Sequence, residues 1–280
     1  MKFKGSYESI FARLRSFAER PLVISLLVLL FLTVLVLSLS YDYYLNDFSN
    51  FWREVLAEAH GMLFDIAIIG ILIYWLNNRG QRKASIRTYI DEIEDFRSWK
   101  SEEAAFRTVG NIKRLNRHKI YQIDLASCYL NRTNLSHVRL DGANLNSADM
   151  IQANLVQTEL KAARLNRTNF SESNLNHACL HNAYATGANF ENAYLIKADL
   201  SDAFLIATNF ENAFMMEANL RGAYVEGANF KNANLYKADL RGASGLTVDQ
   251  LMQAHTLHQT LLDEDLKARI AELKVSLLLR

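Results

Sequence analysis

At 280 residues and a formal net charge of +1, the chain lacks the basic excess that nucleic-acid binding by the whole molecule would need. Half of the residues are hydrophobic, and the two cysteines, Cys128 and Cys179, make neither a disulfide framework nor, without ligand-spaced partners, a zinc site. A single proline against an ordinary usage of roughly 5% means that turns are few or are built another way.

Residues 1–83 read as an interfacial helix followed by two transmembrane helices. Phe3, Tyr7, Ile10, Phe11, Leu14 and Phe17 recur at helical spacing among Lys and Arg, the pattern of a helix lying in the interface. Leu22 to Ser40 is an uncharged apolar run that spans a bilayer core at about 1.5 Å per residue. It ends without the small-residue cleavage site of a secretory signal. The second span runs from about Val55 to Leu76 and carries Glu58, His60 and Asp65 in its first half.

Lys2, Lys4, Arg13, Arg15 and Arg20 precede the first span, and Arg79, Arg82, Lys83 and Arg87 follow the second. The loop between them holds Asp42, Asp47 and Glu54 against a lone Arg53. This asymmetry predicts an inner-membrane protein with both termini in the cytoplasm, and two thiols without disulfide partners fit that reducing side. Asp65, the one intramembrane acid, is a candidate pore or proton-relay group, or a structural partner of a neighbouring helix.

Residues 84–119 are a charged juxtamembrane helical connector with a stripe of Ile86, Tyr89, Ile90, Ile93, Phe96 and Trp99. The pattern is expected to break at Gly110-Asn111, before a basic run from Lys113 to Lys119 that reads as a solvated turn, with contact to anionic lipid headgroups or nucleic acid the alternatives. The stripe would pack on the following domain or pair with another subunit.

From 120 to 245 a five-residue period takes over, the signal of a repeat architecture. The central apolar residue of each unit falls at every fifth position from Leu125 to Leu240, twenty-four in all, with Ala185 the small exception. Two residues earlier the side chain is nearly always small, as at Ala143, Ala148 and Ala178 through Ala203, with Thr208 an interruption. Asn or Asp often sits between them. A period of five fits neither helix nor strand, so the chain turns a corner every five residues and places one large and one small residue inward. Asn and Asp are expected at the corners, where they tolerate unusual backbone angles.

The segment from Ala188 to Leu200 (ANFENAYLIKADL) resembles the pentapeptide-repeat family, whose consensus is Ala, Asp or Asn, Leu or Phe, then two variable residues. The resemblance covers residues 120–245 and implies a right-handed quadrilateral β-helix with four units per coil. The recurrence of Phe170, Phe190, Phe210 and Phe230, and of leucine from Leu140 to Leu240, every twenty residues agrees with that coil. Six coils at about 4.8 Å make a rod on the order of 30 Å. The remainder, 246–280, reads as a C-terminal helical cap from Thr247 onward, or a dimer seam, with an apolar face including Leu251, Leu257, Leu261, Leu262, Leu266, Ile270, Leu273, Leu277 and Leu278.

Outward positions should be polar, so the exceptions are informative. Tyr194, Ile196, Phe214, Met216 and Tyr236 share one face of the last three coils; Tyr184, Phe204, Ile206 and Tyr224 share the opposite one. Stacked like residues that stabilise neighbouring coils, and a protein-docking surface, both fit them. His177 with His181, and His255 with His258, lack acidic or cysteine partners, and no phosphate loop, catalytic triad or metal cluster is present. No catalytic residue, cofactor or metal is therefore expected.

The leading expectation is a non-enzymatic scaffold in the lipid bilayer that offers the rod to an unknown protein partner. A homo-oligomeric channel lined by Asp65 is the alternative. The resemblance raises a third class, since some family members mimic DNA and bind gyrase. Those rods are strongly acidic, whereas residues 120–245 hold ten Lys and Arg against twelve Asp and Glu. No nucleic-acid partner is expected.

Overall fold

The computed structural model describes residues 21–39, 41 and 51–278. The expected interfacial helix and the loop of residues 42–50 lie outside them, as do the side chains of Leu273, Leu277 and Leu278. The chain divides into two compact units, Met1–Ser85 and Ile86–Arg280.

In the first unit, α1 spans Pro21–Leu39 and α2 begins at Phe51, ending at Phe96. Their polar residues are partly satisfied within the helix, as Thr33 Oγ1 donates to Leu29 O at 2.8 Å and His60 Nδ1 lies 2.6 Å from Leu56 O. Among the described residues one helix is long and apolar enough to cross a membrane. It is α2, whose segment from Glu58 contains a window of mean hydropathy 1.8; the apolar stretch of α1, Leu26–Leu39, is shorter.

In the second unit the apolar stripe from Ile86 to Trp99 splits. Ile93 is buried, Ile86 and Tyr89 pack against the core, and Ile90 and Trp99 remain exposed. The helix break falls at residues 97–101 and not at Gly110-Asn111, because α3 runs unbroken over Glu102–Arg117. Ser101 caps it by accepting from Ala104 N–H, and Glu102 and Glu103 favour its positive end. Asn111 is tolerated mid-helix because its buried amide donates to Glu92 Oε2 at 2.9 Å and accepts from Arg114 Nη1 at 2.7 Å.

The repeats form a four-sided solenoid with twenty residues per coil. Parallel bridges link each residue before a central apolar position to its equivalent one coil on, from Asp124 with Asn144 to Tyr224 with Ser244. Among the described residues these single-residue bridges replace extended strands. Leu125 N–H donates to Asn144 O at 2.6 Å, and Asn144 N–H donates back to Ile123 O at 2.9 Å; this reciprocal pattern recurs around every coil. The central residues are fully buried, including Phe170, Phe190, Phe210 and Phe230, whose rings stack 4.9, 5.2 and 5.4 Å apart inside the rod. Thr208 fits the small column because its hydroxyl donates to Ala185 O at 2.8 Å.

The corner is not where the Asn and Asp pattern suggested. A β-turn closes from each central residue to the small residue three positions on, as in Cys128 N–H to Leu125 O at 3.1 Å. Its left-handed member is the second residue after the centre, for example Ser127, Arg132, Ala162 and Ala207, with Gly142, Gly187, Gly222 and Gly227 at equivalent places. The Asn or Asp instead precedes the centre and bonds locally, accepting on Oδ1 from the N–H two residues on, as Asn134 does from Ser136 at 3.0 Å. Asn219 with Asp199, and Asn209 with Asn189, add amide bonds of 2.9 Å between coils.

Each end of the stack would leave unpaired backbone groups. At the first coil Asn116 exchanges two bonds with Arg139, donating to its O at 2.9 Å and accepting from its N–H at 2.7 Å. Arg97 donates to Ala126 O at 2.9 Å and to Asp124 Oδ2 at 3.0 Å. Burial alone would raise the Asp124 carboxyl, but Arg97 and the Ala126 N–H outweigh it and hold it below the usual carboxylate value.

At the other end a single helix from Thr247 does not form. Helix α4 is only Val248–Met252, and α5 resumes at Glu264–Leu278. The segment between them repeats the coil's bridge-and-turn pattern, with a left-handed turn residue at Gln259, because the last coil needs backbone partners. Thr256 and Leu261 bridge Asn234 and Asp239, and Leu240 N–H donates to Leu261 O at 2.9 Å. Leu251, Leu262, Leu266 and Ile270 are buried in the rod's own core cluster, while Leu261 is exposed.

The left-handed positions give opposite expectations for two substitutions. Ala162→Gly, at φ 52°, should stabilise the rod by about 1 kcal/mol, and Gly187→Ala, at φ 65° with room for a Cβ, should destabilise it by about as much. Urea midpoints of the full chain, read by circular dichroism, check both signs.

Candidate functional site

A coil rise equal to the inter-strand spacing puts equivalent outward side chains within ring-stacking distance of each other. On one face Tyr184, Phe204 and Tyr224 form a single column, with centroids 4.9 and 4.7 Å apart and planes within 5°. On the opposite face, ten residues away in a twenty-residue coil, Tyr194 and Phe214 stack at 4.9 Å and 7°. Such pairs each contribute about 0.5–1.5 kcal/mol beyond burial.

Stacking does not hide the rings. Tyr184, Tyr194, Phe214 and Tyr224 keep between 38% and 45% of their surface, and Ile206 is also exposed. Phe204 is half-buried between its two neighbours. Ile196, Met216 and Tyr236 are half-buried and occupy the column on the far side of the Leu195, Met215 and Leu235 centres. The Tyr194 face therefore carries two apolar columns side by side. The Tyr184 face carries one, followed by Thr186, Ile206 and Glu226. Tyr236 also lies 5.8 Å from His258, so the turn-containing segment after α4 prolongs this face.

The remaining two faces are polar. One presents Asn189, Asn209 and Asn229 as an amide ladder, with Lys231 Nζ 2.7 Å from Glu211 Oε1. The other carries Arg139, Glu159, Cys179, Asp199, Asn219 and Asp239 in one column. There Cys179 Sγ lies 3.7 Å from Asp199 Oδ2, and His181 Nδ1 lies 2.9 Å from Ser201 Oγ. A surface ion pair such as Lys231–Glu211 contributes little stability. Among the described residues no group of three His, Cys, Asp or Glu is placed to hold a metal ion.

Sequence reasoning missed one structural device. Asn131, Asn146, Asn166 and Asn176, just after a central residue, accept on Oδ1 from the N–H one coil on at 2.8 to 3.0 Å. The available signal was asparagine at twenty-residue spacing, as at Asn146 and Asn166. Asp65 is exposed on α2 and belongs to the other unit.

A family model for pentapeptide repeats matches in eight copies across residues 121–157, 153–192, 180–212 and 213–244. Among solved structures, HetL, a pentapeptide repeat protein involved in heterocyst differentiation regulation from the cyanobacterium Nostoc sp. strain PCC 7120, is 21% identical. It covers 54% of this chain and 93% of its own, with a TM-score of 0.28. A pentapeptide repeat protein of the Arabidopsis thaliana thylakoid lumen is 27% identical over 40% of this chain and 70% of its own, with a TM-score of 0.23. QnrB1, a plasmid-mediated fluoroquinolone resistance protein, is 16% identical over 54% and 84%, with a TM-score of 0.27. No curated protein sequence matches the chain.

The two cysteines differ in a way that labelling reads directly. Burial pushes the Cys128 thiol up to about 11, and burial also raises Cys179, which is less enclosed and is partly offset by the His181 N–H. Iodoacetamide at pH 8 should modify Cys179 first and Cys128 only when the first coil opens in denaturant. Equal rates in the native protein would contradict this placement.

Proposed function

We propose that this chain, which belongs to the pentapeptide-repeat family through residues 121–244 and so carries a right-handed β-helix, is a non-enzymatic, membrane-anchored scaffold that offers one face of the helix to a protein partner. The observation that carries the reading is the pair of adjacent apolar columns formed by Tyr194 and Phe214 with Ile196, Met216 and Tyr236. Isolated exposed apolar residues are normal on a soluble surface, whereas a contiguous patch with a polar rim is the mark of an interaction site. Aromatic and methionine side chains are also the types enriched at protein interfaces.

The anchor reading rests on the apolar window of α2 and on the charge asymmetry around it. It makes α1 a span as well and puts the repeats on the cytoplasmic side. We read Val248–Met252 and Glu264–Leu278, with the bridged segment between them, as the cap of the last coil; four of their leucine and isoleucine side chains are buried with the core. A DNA-like surface would need a dense acidic face. The rod's acids instead alternate with partners such as Lys231, Lys197 and Arg241.

A photo-crosslinker placed at Met216 in native membranes should capture a partner that the same probe at Ser171, on the phenylalanine-column face, does not. Phe214→Glu should lower that capture about tenfold or more, as loss of a central aromatic anchor does, while leaving the thermal midpoint of the rod within a few degrees. Equal capture at both positions, or no effect of Phe214→Glu, would reduce the ladder to a stabilising stack.

A further inference from the structure

Where the apolar window of α2 ends, one helix face changes character. Trp75, Arg79, Arg82 and Lys83 stand at i, i+4, i+7 and i+8, so they share a face within about one-third of the helix circumference. All four are exposed, Trp75 at 51%. The Arg79 guanidinium carbon lies 5.0 Å from the centroid of the Trp75 ring, which holds the cation beside the indole face. No aspartate or glutamate occurs in the sequence between Asp65 and Asp91.

We propose that Trp75, Arg79, Arg82 and Lys83 form a headgroup site for an anionic phospholipid. The inference rests on the reading of α2 as a membrane span and adds the ligand that its inner end selects. Tryptophan settles at headgroup level, and three cations then lie within one to two helical turns of it, where lipid phosphates are found. Two guanidinium forks grip a phosphodiester in the bidentate manner that ammonium cannot match. The net negative charge of the lipid, beyond its phosphate, distinguishes it from a zwitterionic neighbour.

The test uses the full chain with Trp52→Phe and Trp99→Phe, which leaves Trp75 as the sole indole. It is reconstituted in vesicles of equal phosphatidylcholine and phosphatidylglycerol, with bromine on the acyl chains of one lipid or the other. We expect Trp75 fluorescence to report about a tenfold preference for phosphatidylglycerol, and Arg79→Gln/Arg82→Gln/Lys83→Gln to bring the preference to one. Equal quenching by both lipids in the parent would overturn the headgroup site while leaving the span intact. Quenching by neither would overturn the span itself.

Replacing chloride by inorganic phosphate at constant ionic strength should leave the preference unchanged. Its loss would assign the site to free phosphate and overturn the lipid proposal. Should the triple variant fail to insert, headgroup analysis of lipid retained by the detergent-purified parent chain decides the matter. Enrichment of anionic over zwitterionic lipid supports the site, and membrane-average composition refutes it.

Discussion

Every feature of the rod depends on one reciprocal backbone pairing, in which the N–H of a central residue donates to the carbonyl nineteen residues ahead and the next coil donates back. Leu125 with Asn144 and Asn144 with Ile123 are its first instance. The pairing sets the coil at twenty residues and its rise near the strand spacing. From the rise follow the stacked phenylalanines inside, the amide ladders at the bridge positions and the aromatic ladders outside. It also creates a problem at both ends, because an unpaired coil is an open edge. Asn116 and Arg97 answer it at the start, and the bridges made by Thr256 and Leu261 answer it at the finish.

The parts legible in the sequence are those fixed by side-chain burial. Leu125 through Leu240 and the alanines two residues before them are inside, as the five-residue period requires, and the twenty-residue recurrence of phenylalanine marks one side of the coil. The corner was less legible because its left-handed residue is chemically promiscuous. Ser127, Arg132, Glu172 and Lys197 all adopt it, held there by the turn bond and the inter-coil pairing and not by intrinsic preference. Glycine at 142, 187, 222 and 227 is the trace that composition leaves.

The helical ends depart from the sequence pattern for a related reason. Periodicity suggests helix from Thr247 on, yet the carbonyls and amides of the last coil compete for the same backbone and draw residues near 256 and 261 into bridges. Gly110-Asn111 suggests a break, yet Asn111 is a buried connector between Glu92 and Arg114. In both cases a tertiary partner outweighs local propensity. At the candidate site the sequence placed the ladders on two opposite faces. The difference between them, two adjacent apolar columns against one, needed the exposure of each ring.

A scaffold of this kind requires the Tyr194 face to be occupied in the cell. Hydroxyl-radical footprinting measures this directly, by comparing oxidation of Tyr194, Phe214 and Met216 in native membranes with that in the purified chain. Occupancy predicts strong protection in membranes that is lost on purification, with Tyr89 and other residues away from the face unchanged. Equal oxidation of the three side chains in both preparations would contradict it.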